Sequence, residues 1–119
     1  MTDLASTAPH IHGARDFDDL VDWGPQPDSL AGASHSTGRL LFKGPGNIPE
    51  TGIWDCTPGR WRLSVPRDEF CHFVRGRATY RGDDDEVIEV TAGTCVMVPA
   101  GWTGEAEIHE TIRNIYMLS

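Results

Sequence analysis

Positive charge is scarce in this chain: 10 Lys and Arg stand against 18 Asp and Glu, for a net charge of −8. Nucleic acids and anionic membranes are recognised through clustered cations, so neither is an expected partner. Six Asp against one Arg in residues 1–35 carry −5 of that charge. The acidity therefore describes a solvated leading segment more than a functional surface. Also missing is any apolar run of membrane-spanning length. The start, MTDLASTAPHIHG, has neither the basic region nor the apolar stretch of a secretory signal. Cysteine is sparse and unpatterned: Cys56, Cys71 and Cys95 are odd in number, show no C-x-x-C spacing and sit in apolar runs. That is the usage of a reduced cytosolic protein, in which Cys acts as a small buried hydrophobe, and a cytoplasmic location is expected. No segment sustains a 3.6-residue period and no internal repeat is present, so the chain does not read as helical.

What is there fits one domain of 119 residues. Residues 1–37 read as an N-terminal arm. Its first 13 residues are small and polar, and the pair His10 and His12 is an ordinary feature of such a tail. Phe17, Leu20 and Val21 fall at i, i+3, i+4, enough for one short helical turn over Asp16–Trp23 that Gly24 and Pro25 end. Gln26 to Gly38, with His35 inside it, reads as loop. From residue 38 to 119 short apolar runs alternate with Gly and Pro. Strands are expected at 39–43, 52–57, 60–65, 69–75, 77–81, 86–91, 94–98, 103–109 and 111–118, the pattern of an all-β sandwich or barrel. Gly76, Gly93 and Gly101 fall where a small barrel would reverse tightly, and Asp83 to Glu86 reads as a solvated hairpin tip.

Two segments carry a family likeness. E-F-C-H-F-V-R-G at 69–76 resembles the end of the first cupin motif, and G-T-C-V-M-V-P-A-G at 93–101 resembles the second. Together with G-I-W-D-C-T-P-G at 52–59 and E-I-H-E-T-I-R-N-I-Y at 107–116, they make the chain similar to small single-domain cupins of the ureidoglycine aminohydrolase-like and ethanolamine-utilisation type. The resemblance implies a small double-stranded β-helix, the RmlC-like jelly roll, with ligand chemistry inside the barrel mouth. It also implies where a metal would sit, on two His and the Glu of the first motif and one His of the second. Counting back from Glu69, the His positions are Val65 and Leu63 here, or Ser64 and Arg62 with a shift of one, and the third is Gly104. Three of four ligands are missing, so no cofactor is expected. A divalent metal would need a substitute set.

Glu69 is the candidate acid or base. Alternation puts it on one strand face with Cys71 and Phe73, and puts Phe70, His72 and Val74 on the other. An acid in so apolar a strand is costly to bury alone. It either meets an arginine, Arg62, Arg67 or Arg113, or keeps a raised pKa suited to proton transfer. Cys71 reads as a buried thiol that shares the pocket, with Cys95 a possible redox neighbour. Trp54 is assigned to the core, and Trp61 shares a phase with Leu63 and Val65, the inward positions. Trp61, Leu63, Val65, Cys71, Trp102, Arg113 and Tyr116 are the candidate ligand-binding residues. The reading that results is a small-molecule-binding cupin with no assigned reaction. Its alternatives are a metal-dependent hydrolase of a small ureido or amine metabolite and a dimeric structural or accessory cupin. A homodimer, joined through the outer face of strand 69–75, is the expected assembly.

Overall fold

The computed structural model describes residues 7–119; residues 1–6 of the expected arm lie outside the described residues. Nine strands follow in order: β1 (Val21–Pro25), β2 (Ser29–Gly32), β3 (His35–Lys43), β4 (Glu50–Cys56), β5 (Gly59–Ser64), β6 (Glu69–Gly82), β7 (Val87–Val90), β8 (Cys95–Val98) and β9 (Thr103–Leu118). Every pairing is antiparallel. The long strands β6 and β9 form a seam, in register from Glu69↔Leu118 to Gly82↔Gly104. The free edge of β9 is taken by β5 along its first half and by β4 along its second, while β8 and β7 line up along the free edge of β6. β3 continues from β4, β1 from β3, and β2 from β5. The curled sheet is the all-β jelly-roll barrel expected from the sequence. Among the described residues no helix is long and apolar enough to cross a membrane.

Three expectations are corrected. Residues 69–75 and 77–81 are one strand, as are 103–109 and 111–118. Gly76 therefore does not reverse the chain. It lies within a run of register shifts where β6 bends against β9, and bulges of this kind curve a strand without ending it. The helical turn over Asp16–Trp23 is absent, its end lying in the strand Val21–Pro25, and in the expected loop Gln26–Gly38 the strand Ser29–Gly32 forms and β3 begins at His35. Polar anchors hold β1: Asp22 accepts from the Gly24 N–H at 2.8 Å and lies 2.5 Å from His35 Nε2 on β3. Such contacts leave no apolar period in the sequence.

Alternation along β6 holds as read, with Cys71 and Phe73 buried and Phe70 exposed. Phe73, Tyr80, Val90, Val98 and Ile112 are among the residues that fill the barrel, each large side chain contributing roughly 1.5–3 kcal/mol by leaving water. On the outer face of the seam Met97, Phe70 and Met117 lie in one register row and stay exposed. This is the face the sequence offers for pairing of two copies. Elsewhere the outer face is covered by the N-terminal segment, because Arg113 Nη1 donates to the Ala14 and Arg15 carbonyls and Arg39 Nε to the Asp19 carbonyl.

Candidate functional site

The barrel holds a cavity of about 300 Å³ that opens to solvent. β9 supplies Asn114, Tyr116 and Leu118 at alternate positions, all on its inward face. β4 adds Glu50 and Trp54, β5 and its continuation add Trp61, Leu63 and Val65, and β6 adds Glu69, Cys71 and Tyr80. Trp23, at the bulge of β1 against β3, also lines the cavity. Its indole is admitted by Gly38, where a Cβ would come within 2.2 Å of the ring.

Glu50 and Glu69 are both register partners of Leu118, from opposite edges of β9. Their backbones thus stand about 10 Å apart, two strand spacings, and both side chains enter the cavity. Tyr116 Oη donates to Glu50 Oε2 at 3.0 Å. Cys71 Sγ and Asn114 Nδ2 both donate to Glu69 Oε2, each at 3.5 Å. Asn114 Oδ1 and Trp61 Nε1 are buried with no hydrogen-bond partner. The Cys56 sulfur neighbours that indole without meeting bonding geometry. Lys43 Nζ stands 3.8 Å from Glu50 Oε1.

Burial pushes the Glu69 carboxyl above its ordinary range; the bonds from Cys71 and Asn114 oppose this, and the charge of Glu50 adds to it. Burial, with Glu69 alongside, drives the Cys71 thiol up as well. Burial raises Cys56 to about 11. Thiols held this way are poor nucleophiles near neutral pH, because the thiolate is the reactive form. Tyr116 is raised by burial and by its bond to Glu50.

Of the residues singled out in the sequence, Trp61, Leu63, Val65, Glu69, Cys71 and Tyr116 meet in this cavity. Trp54, assigned to the core, lines it too. Two do not belong. Arg113 is 3% exposed and directed to the outer face, bound to Asp55 at 2.7 and 3.0 Å. The alternation that brings Tyr116 inward sends Arg113 outward. Trp102 packs at the other end of the barrel beside Ile88, Val90 and Val96, and its Nε1 donates to Glu86 Oε1 at 3.1 Å. The expected arginine partner of Glu69 is absent among the described residues: Arg62 pairs with Asp83, and Arg67 donates to the carbonyls of Asn47, Leu118 and Ser119. Cys95 lies on the outer face opposite His72, turned away from Cys71, so the two are no redox pair. Glu50 and Asn114 were missed. Asn114 was legible as the residue two before Tyr116 on one strand face, whereas Glu50 preceded the expected start of its strand.

The donor set does not fit the metal that cupin motifs imply. Leu63, Val65 and Gly104 occupy the imidazole positions, and no group of three His, Cys, Asp or Glu side chains among the described residues is arranged to hold an ion.

The raised Glu69 carboxyl fixes the sign of a pH effect. Between its ordinary value of 4.5 and the raised folded value, the folded protein keeps a proton that the unfolded chain has lost. Stability from this group is therefore complete below the ordinary value and is lost as pH rises through the folded one. Glu69→Gln removes the dependence. The variant is expected to melt higher than the parent at neutral pH, with the advantage vanishing by about pH 4. A variant that melts lower at neutral pH would show that Glu69 is held by a partner instead of strained by burial.

Residues 44–116 match the family described as EutQ-like cupin domain. Among solved structures, a DUF861-family protein of unknown function from Pseudomonas syringae pv. tomato is 18% identical over 88% of this chain, with a TM-score of 0.79. The match spans 46% of that protein, so this chain corresponds to about half of it. EutQ from Salmonella typhimurium is 17% identical over 80% of this chain and 76% of its own, TM-score 0.64. EutQ from Clostridium difficile is 15% identical over 71% and 68%, TM-score 0.61. These likenesses show the shared fold. No curated protein matches. With a family match over more than half its length and both cupin motifs on the walls of one barrel, the chain belongs to the EutQ-like cupin family.

Proposed function

We propose that this cupin binds a small molecule in the barrel cavity and that its role rests on binding, with no reaction assigned. The observation that carries the reading is the cavity itself: about 300 Å³, walled by aromatic and aliphatic side chains and holding two carboxyls and two amides, those of Gln26 and Asn114. Sites for small ligands have this make-up, a mostly apolar concavity with a few convergent polar groups. The hydrolase reading has less support, because the side chains it needs for a metal are Leu63, Val65 and Gly104. Three free cysteines, with no disulfide, support a reducing compartment such as the cytoplasm.

Thermal-shift screening with a chemically diverse set of small metabolites tests the proposal. A ligand at about a hundred times its Kd contributes ~2.7 kcal/mol, a rise of roughly 10 °C for a domain of this size. Leu63→Trp, which fills the cavity from the β5 wall, is expected to abolish the shift while melting cooperatively on its own. Equal shifts in parent and variant would place binding elsewhere, and silence across the set would remove the reading.

A further inference from the structure

We propose that the ligand is a small organic cation carrying N–H donors, a primary ammonium or a guanidinium; this rests on the reading of the cavity as a small-molecule site. Two carboxyls, Glu50 and Glu69, enter the cavity, and no lysine or arginine is among its lining residues. Three donors beside them are committed, Tyr116 to Glu50 and Cys71 and Asn114 to Glu69, while the Trp61 indole N–H on the same wall is left without a partner. What the carboxyls retain is acceptor capacity. Glu69 Oε1 accepts no hydrogen bond from any described residue, and Glu50 Oε1 faces only the Lys43 ammonium at 3.8 Å. A ligand that completes these groups must bring donors, because an ionised carboxyl only accepts.

The walls favour positive charge independently. The rings of Trp54 and Trp61 stand perpendicular with centroids 6.3 Å apart, and Trp23, Tyr80 and Tyr116 complete an aromatic lining. Aromatic faces carry negative potential and attract ammonium and guanidinium groups, most strongly where water is excluded. An anion would meet two carboxyls with no compensating cation in the wall. A neutral alcohol would gain the apolar contact and forgo the attraction to both. A quaternary ammonium would gain the faces but offer no N–H to Glu69.

Calorimetric titration of the full chain at neutral pH with four probes of similar size decides the matter: n-butylammonium, methylguanidinium, n-butanol and butyrate. Both cations are expected to bind at least about tenfold more tightly than butanol, with butyrate undetectable and cation affinity reduced by a similar factor in Glu69→Gln. That variant is expected to be at least as stable as the parent, so weaker binding is not a folding defect. Butanol or butyrate binding as tightly as the cations overturns the charge class. If that binding is lost in Leu63→Trp, the cavity still stands as a binding site. Cation binding that survives Glu69→Gln unchanged overturns the assignment to these carboxyls. Silence from all four probes overturns the inference, while the wider screen against Leu63→Trp judges the cavity separately.

Discussion

Replacing Arg113 with methionine is expected to destabilise the fold by about 3–5 kcal/mol, the range for removing one partner of a buried ion pair. Arg113 is directly cross-strand from Asp55 in the β4–β9 pairing. Its guanidinium forks onto both oxygens of that carboxylate, Nε to Oδ1 at 2.7 Å and Nη2 to Oδ2 at 3.0 Å. Nη1 donates to two main-chain carbonyls, Ala14 and Arg15, each at 3.0 Å. Four contacts converge on one side chain that is 3% exposed. Methionine keeps most of the volume and none of the donors, so a largely buried carboxylate and two carbonyls lose their partners together. A loss of 3–5 kcal/mol would lower the melting temperature by more than 10 °C in a domain of this size.

The same substitution should loosen the N-terminal segment before the barrel melts. Residues 14–19 lie on the outer face through carbonyl contacts to Arg113 and Arg39 and the Asp19–Arg39 ion pair at 3.0 Å. Amide exchange in this segment is expected to accelerate in Arg113→Met at temperatures where β6 and β9 stay protected. Asp55→Asn in the Arg113→Met background should recover part of the loss, because it removes the stranded charge. If Arg113→Met costs under about 1 kcal/mol, the pair behaves like an exposed one and the anchoring account fails. Cavity binding by folded Arg113→Met should be unchanged, since the guanidinium and the cavity occupy opposite faces of β9.

Arg113 also shows how far the sequence could be read. Its placement in the pocket came from the family likeness, while the alternation of T-I-R-N-I-Y-M-L already put it on the face opposite Tyr116. Strands that are apolar on one side, as at Glu69, Cys71 and Phe73, show their inward face in the sequence, because burial of one face fixes register. β1 and β2 carry no such pattern, because their residues are mostly exposed and polar contacts such as Asp22 with His35 hold the pairing of β1. The candidate site was half legible. Inward positions on β5 and β6 could be counted from the motif. Glu50 and Trp23 reach the cavity only because β4 and β1 extend the sheet, a long-range arrangement with no local signature.

Gly76→Ala is expected to cost about 3 kcal/mol or more, through left-handed strain together with steric overlap. The backbone at Gly76 has φ of +87°, and an added Cβ would lie 2.2 Å from the Thr111 carbonyl oxygen and 2.7 Å from Ile112 Cα. Those atoms belong to β9, whose backbone cannot retreat without breaking the seam that pairs it with β6. Gly93 separates the two contributions, since its φ of +98° is similar but a Cβ there meets nothing within 4 Å. Gly93→Ala should therefore show only the conformational part, about 1 kcal/mol. The difference between the two variants reports the close approach of β6 to β9. A functional consequence follows from what stands on either side of the bend: Glu69 and Cys71 before it, Tyr80 after it, all lining one cavity. If Gly76→Ala folds at all, it should bind any cavity ligand more weakly than Gly93→Ala does at equal folded fraction. Equal melting temperatures for the two variants would show that the bend has room to relax, and equal affinities that the site does not depend on it. Gly76 is thus no turn between two strands but the point where one continuous strand folds the two halves of the site onto each other.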